Sequence, residues 1–132
     1  MMKPIGKVRS PFKEKFGIPR QPHLAQKIKA TVEIPTSICS PEHFELLEGF
    51  NFIWLIGQFH QAHSKSSKVR PPRLGGNKKI GVFATRSPFR PNPLSLSLVQ
   101  LDSIIHDDHH KKMILNISGI DLVDETPIYD IK

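Results

Sequence analysis

The chain of 132 residues is most informative at first for what it lacks. Cys39 is its single cysteine, which excludes an internal disulfide framework and a cysteine zinc cluster. No apolar run approaches the roughly 20 residues of a membrane-spanning helix. The opening MMKPIGKVRSPFK has no apolar centre of the signal-peptide kind. A reducing, cytoplasmic setting without membrane contact is therefore expected. Neither GxGxxG nor GxxxxGK[ST] occurs, so the two common phosphate cradles are missing. No Ser/His/Asp or Cys/His arrangement points to nucleophilic catalysis. His106, His109 and His110 share a polar stretch with no companion ligands at metal spacing, so no metal is expected. Most unusual of all, no acidic residue occurs between Gly49 and Leu101.

Positive charge fills that gap. Of 19 Lys and Arg, eight lie between Met1 and Ala30 and eight between Lys65 and Arg90, giving a net charge of +7. Two separated basic blocks, both mixed with Pro, Gly and Phe, suit a polyanionic partner.

Period-two alternation of apolar and polar residues predicts short strands at Ile5–Ser10 and Lys27–Ile34, and a β-rich apolar run predicts one at Asn51–Gln61. Lys79–Thr85, Leu94–Leu101, Lys112–Val123 and Ile128–Ile131 add four more. The Asn51–Gln61 strand reads as central, being too apolar for exposure. One helix is expected in SICSPEHFELLEGF. Ser40 can cap it, Pro41 suits its first position, and Phe44, Leu46 and Leu47 supply an apolar face. The expected fold is mainly all-β: one domain over 1–132, a compact antiparallel barrel of about seven short strands with one short helix. Helices do not alternate with strands, so a doubly wound parallel sheet is excluded.

Three stretches carry candidate chemistry. RPPRLGGNKK is a basic loop suited to a nucleic-acid backbone, with Arg70 and Arg73 at its head. In FHQ, His60 and Gln61 end an apolar strand and can form a polar pocket rim. In TRSPFRPNP, Pro88, Pro91 and Pro93 fix the backbone and hold Arg86, Arg90 and Asn92 in defined directions. Such a loop is pre-organised for binding: Arg suits phosphate or carboxylate, and Asn a base edge or amine.

IGKVRSPFKEKFGIPRQP, VRPPRLGGNKKIGVFATRSPFRPNP and SGIDLVDETPIYDIK resemble the TrmO (YaeB, or TsaA-like) family of β-barrel tRNA methyltransferases, over nearly the whole chain. The resemblance implies an S-adenosyl-L-methionine-dependent tRNA (adenine-N6)-methyltransferase. Such an enzyme methylates the exocyclic nitrogen of threonylcarbamoyladenosine at position 37, beside the anticodon, and commonly works as a homodimer. It further implies a cofactor pocket of Gln21, His60, Gln61, Arg86, Leu96, Ser118, Gly119, Ile120 and Asp121. Arg70, Arg73, Arg90 and Asn92 are expected to face tRNA.

The methylated nitrogen, delocalised into a carbonyl, must lose a proton. Asp121 or Asp124 could accept it, or Asn92 could orient the nitrogen. Glu125 and Ser95 stand where the family commonly has glycine. The chain stops at YDIK, where the family usually continues into a PY segment and often a small further domain. The expected unit is thus the barrel without that extension. The competing reading is a non-catalytic basic barrel that only binds RNA. FHQ and SGIDLVD, which are not basic, favour the enzyme. A hydrolase of a nucleotide-like ligand is weaker still, lacking a metal or nucleophile signature.

Overall fold

Small and β-branched apolar residues alternate with polar ones along most of the chain, and each such stretch pairs edge to edge. The structure, a computed structural model, describes residues 2–11, 28–58, 68–69, 79–85, 90–120 and 122–132. Its strands are β1 (Gly6–Arg9), β2 (Lys29–Pro35), β3 (Phe52–Gln58), β4 (Lys68–Val69), β5 (Ile80–Gly81), β6 (Leu94–Asp107), β7 (Lys112–Ser118) and β8 (Pro127–Ile131). Six of them close an antiparallel barrel in the order β1-β2-β7-β6-β3-β8. Among the described residues, β4 and β5 pair only with each other. The stretch expected as a strand at Lys79–Thr85 therefore contributes just Ile80–Gly81 before a 3₁₀ turn, Val82–Ala84. β7 ends at Ser118, short of the expected Val123, and Gly119 then takes φ 81.

Fully buried Val8, Val32, Ile34, Ile53, Leu55, Val99, Leu115, Ile117, Ile120 and Ile128 fill the interior. Phe44 and Leu47 join this core from the β2–β3 connection, Ile120 and Leu122 from the β7–β8 connection. A six-stranded barrel packed in this way has no lumen for a ligand. Any binding site must lie on its wall or rim.

The expected helical segment forms as two 3₁₀ turns, Pro41–Phe44 and Leu47–Gly49. Between them Glu45 is extended (ψ 133) and Leu46 is left-handed (φ 68), which interrupts helical propagation. Only Phe44 of the expected apolar face is buried, while Leu46 points to solvent. Ser40 occupies the cap position, but its hydroxyl pairs with His43 Nδ1 at 3.2 Å instead of a backbone N–H.

Strand β3 alternates inward and outward where full burial was expected. Ile53 and Leu55 face the core, whereas Phe52 and Trp54 face out. Its partner β6 places Ser95, Ser97 and Val99 inside and Leu94, Leu96 and Leu98 outside. Close strand approach explains the small inner residues. Gly57 lies opposite Ser95, and a Cβ there would sit 2.7 Å from Pro127 O and 3.0 Å from Ser95 Oγ.

Candidate functional site at one rim of the barrel

Antiparallel pairing fixes which connections share an end. β1, β3 and β7 finish at one rim, where β2, β6 and β8 begin. The segments between these ends are 10–28, 59–93 and 119–126, and they carry PRQP, FHQ, RPPRLGG, the proline elbow and SGIDLVD. Except for Leu96 and Ser118, which occupy the adjoining strand ends, all candidate site residues belong to these connections. Gln21, His60, Gln61, Arg70, Arg73, Arg86 and Asp121 lie outside the described residues.

The described part of the rim contains a step in the wall. The first half of β6, Leu94 to Val99, pairs with β3, whereas β7 joins β6 only from Gln100, opposite Ser118. Among the described residues, that first half therefore has no strand partner on its β7 side. Leu96 and Leu98 project from the outer face beside this edge, half-exposed. Ser118 closes the step. Its hydroxyl donates to the carboxylate of Asp102, the extra residue where the β6–β7 register shifts between Leu101 and Ser103. Gly119 then turns the chain, its N–H donating to Ile28 O at 3.0 Å. Ile120 drives its side chain into the core, leaving only its backbone toward the rim. Leu96, Ser118, Gly119 and Ile120 thus border one step. Asp102 went unnoticed in the sequence because a bulge is visible only once two strands are in register.

The 3₁₀ turn that precedes the elbow starts at Val82. That side chain is buried, and its carbonyl accepts both the Thr85 N–H (3.1 Å) and the Thr85 hydroxyl (2.7 Å). Arg90 Nη1 donates to Thr85 O at 2.9 Å, and its guanidinium carbon lies 5.8 Å from the ring centre of Phe83. Asn92 uses its backbone carbonyl to receive the Leu94 N–H at 2.7 Å, and the residue is exposed. Asp124 stands apart at the end of β1, its Oδ1 accepting from Ser10 N–H at 2.9 Å. In strand order, β2 and β7 separate β1 from the β6 step.

The opposite wall holds an ion cluster. Glu33 accepts from Lys112 Nζ at 2.5 Å and from Arg9 Nε at 3.0 Å; Arg9 also reaches Glu125 at 3.1 Å. The Lys112 hydrogen bond, seconded by Arg9, holds the Glu33 carboxyl below its usual value despite partial burial. A neighbouring groove of about 400 Å³ is lined by Ile5, Pro35, Ile38 and Pro127. It contains none of the candidate site residues, and we place no ligand there.

These features define a class: a closed, solid β barrel whose motif-bearing connections leave and re-enter it at one rim, with a step in the outer wall. The chain belongs to the tRNA-methyltransferase O family, whose N-terminal domain model matches residues 7–132. The tRNA (adenine(37)-N6)-methyltransferase of Escherichia coli strain K12 is 45% identical over 130 residues, covering 97% of this chain and 54% of that protein. A Pyrococcus abyssi protein named as a probable S-adenosyl-L-methionine-binding protein is 41% identical over 98% of this chain and 65% of its own length. The crystal structure of TrmO from Pseudomonas aeruginosa superposes with a TM-score of 0.79 at 40% identity, over 100% of this chain and 54% of that one. The chain thus spans about half the length of the relatives it matches first.

Proposed function

We propose that this barrel is the cofactor- and substrate-binding core of an S-adenosyl-L-methionine-dependent tRNA methyltransferase. Its target is the exocyclic nitrogen of threonylcarbamoyladenosine at position 37, and it acts in the cytoplasm as a homodimer. The strand order, which makes every motif-bearing connection start and end at one rim, carries this reading most strongly. The relative from Escherichia coli named above supports it.

The step suits an adenosyl sulfonium. Leu96 and Leu98 offer apolar surface to a purine. The backbone from Ser118 to Ile120 offers hydrogen-bonding groups to its rim. Gln21, His60, Gln61, Arg86 and Asp121 complete the pocket in this reading. Bound S-adenosyl-L-methionine supplies an electrophilic methyl group; the protein supplies alignment and proton management. Asn92 orients the target nitrogen or Asp121 takes its proton, whereas Asp124 stands apart from the step, across β2 and β7 in the barrel order. Ser10 fixes the direction of the Asp124 carboxylate. Arg70, Arg73 and Arg90 neutralise RNA phosphates.

The homodimer is supported by the outer face of β3 and β6. Phe52, Trp54, Leu94, Leu96 and Leu98 expose 38–57% of their surface there, with Trp54 directly opposite Leu98. A contiguous apolar face of this kind is characteristic of protein contacts.

The test is calorimetry with S-adenosyl-L-methionine, S-adenosyl-L-homocysteine and adenosine, followed by methyl transfer to a threonylcarbamoylated anticodon stem–loop. The expected result is tight binding of both cofactor forms and product formation. Affinity for RNA with no preference for the cofactor over adenosine would instead support a non-catalytic RNA-binding barrel.

A further inference from the structure

Phe83 has no role in the reading above, yet it is the most conspicuous side chain of the turn before the elbow. It is 76% exposed, more than any other phenyl ring among the described residues. The turn itself is firmly held. The Val82 side chain is buried, and Thr85 donates twice to the Val82 carbonyl. Arg90 then ties back to Thr85 and sets its guanidinium 5.8 Å from the Phe83 ring centre. The ring and the cation are therefore one unit, fixed from below and open above.

We infer that Phe83, backed by Arg90, is a stacking platform for an unpaired nucleobase of the RNA. This rests on the RNA-methyltransferase reading and adds to it the element that distinguishes a loop from a duplex. Unpaired bases in RNA loops are bound by stacking on aromatic rings and guanidinium planes, because every base has a π face. The chemistry around the ring agrees. No acidic residue occurs from Gly49 to Leu101, so nothing in that stretch of sequence repels a phosphate beside the stacked base. The apolar face of β3 and β6 is different in kind, being strand-borne and made of Trp, Phe and Leu without a cation. Phe83 is thus suited to a π-faced, negatively charged partner.

The test compares wild type, Phe83→Leu and Phe83→Trp by fluorescence anisotropy over a range of KCl concentrations. The probes are an anticodon stem–loop RNA and a blunt duplex of the same stem. Phe83→Leu keeps apolar bulk and loses the π face. It is expected to weaken stem–loop binding roughly 5- to 150-fold, with the salt slope and the duplex affinity unchanged. Phe83→Trp should retain or improve stem–loop binding. Thermal melting and S-adenosyl-L-methionine affinity should stay at wild-type values for both variants, since the ring is exposed.

Stem–loop binding by Phe83→Leu at wild-type strength overturns the inference while leaving the RNA reading intact. Equal loss on loop and duplex overturns it too. So does a change in sedimentation behaviour, which would assign Phe83 to a protein contact. If wild-type protein binds neither RNA, the underlying reading falls and the platform with it.

Discussion

Glu33 shows how one carboxylate can join three strands. It stands on β2 and receives Arg9 from β1 and Lys112 from β7. Because Lys112 and Arg9 depress its folded value, the stabilisation is complete above the ordinary glutamate value of 4.5 and is lost as pH falls through the lower folded one. Glu33→Gln is therefore expected to be clearly less stable than wild type at pH 7, with a smaller deficit at pH 3. Urea denaturation at the two pH values checks this, and an equal deficit at both would reduce the residue to packing. Two other residues stand where the family commonly has glycine. Glu125 holds the left-handed conformation, φ 69, that glycine adopts without strain, and its carboxylate meets Arg9 in compensation. Ser95 is buried opposite Gly57, and among the described residues its hydroxyl finds no partner. Removing an unsatisfied hydroxyl relieves its desolvation, so Ser95→Ala should raise stability by about 1 kcal/mol. The readout is a higher urea midpoint at constant m-value; a lower midpoint would mean that the hydroxyl is bonded after all.

Strand β6 decides both the shape of the site and the limits of what sequence can reveal. Its alternation is plain in LSLSLVQL, and the period-two rule finds it together with the other barrel strands. Which face turns inward is another matter. Hydrophobicity favours the leucines, yet the serines are inside; at Ser95 the close approach of Gly57 and of β8 leaves little room for a leucine. That constraint involves three strands and is invisible in any one of them. The step after Val99 and the Asp102 bulge are equally non-local, whereas the motif loops that surround them are legible as words in the sequence. Pro41 and the charged first turn suggest a helix, but a left-handed Leu46 splits it, and no local signal forbids glutamate-leucine-leucine from continuing. The outward leucines have a testable consequence. The double variant Phe52→Glu/Leu98→Glu should fold as a barrel, since both side chains already face water, and should sediment as a monomer where the proposed function expects a wild-type dimer. Persistence of the dimer would remove this face from the assembly.

Charge and topology coincide along the barrel axis. The connections at the motif rim, 10–28, 59–93 and 119–126, hold twelve Lys and Arg against four acids. Those at the other end, 36–51 and 108–111, hold one lysine against four acids. A molecule polarised in this way turns its basic rim toward a polyanion during approach, and the effect weakens with salt. Arg70 and Arg73 sit in the densest basic stretch, between β4 and β5. Reversing both, Arg70→Glu/Arg73→Glu, should weaken tRNA binding for every sequence alike, as loss of phosphate contacts does. The plot of log affinity against log salt should flatten by about one unit per contact removed. S-adenosyl-L-methionine affinity should hardly change, because the step is built from β6 and the turn after β7. The rival role for these arginines is pairing with the acids from Asp102 onward, in which case their reversal lowers the melting temperature instead. Filter binding across several salt concentrations, run beside a thermal melt, separates the two roles. A steady salt slope with a depressed melt would transfer Arg70 and Arg73 from RNA recognition to the fold.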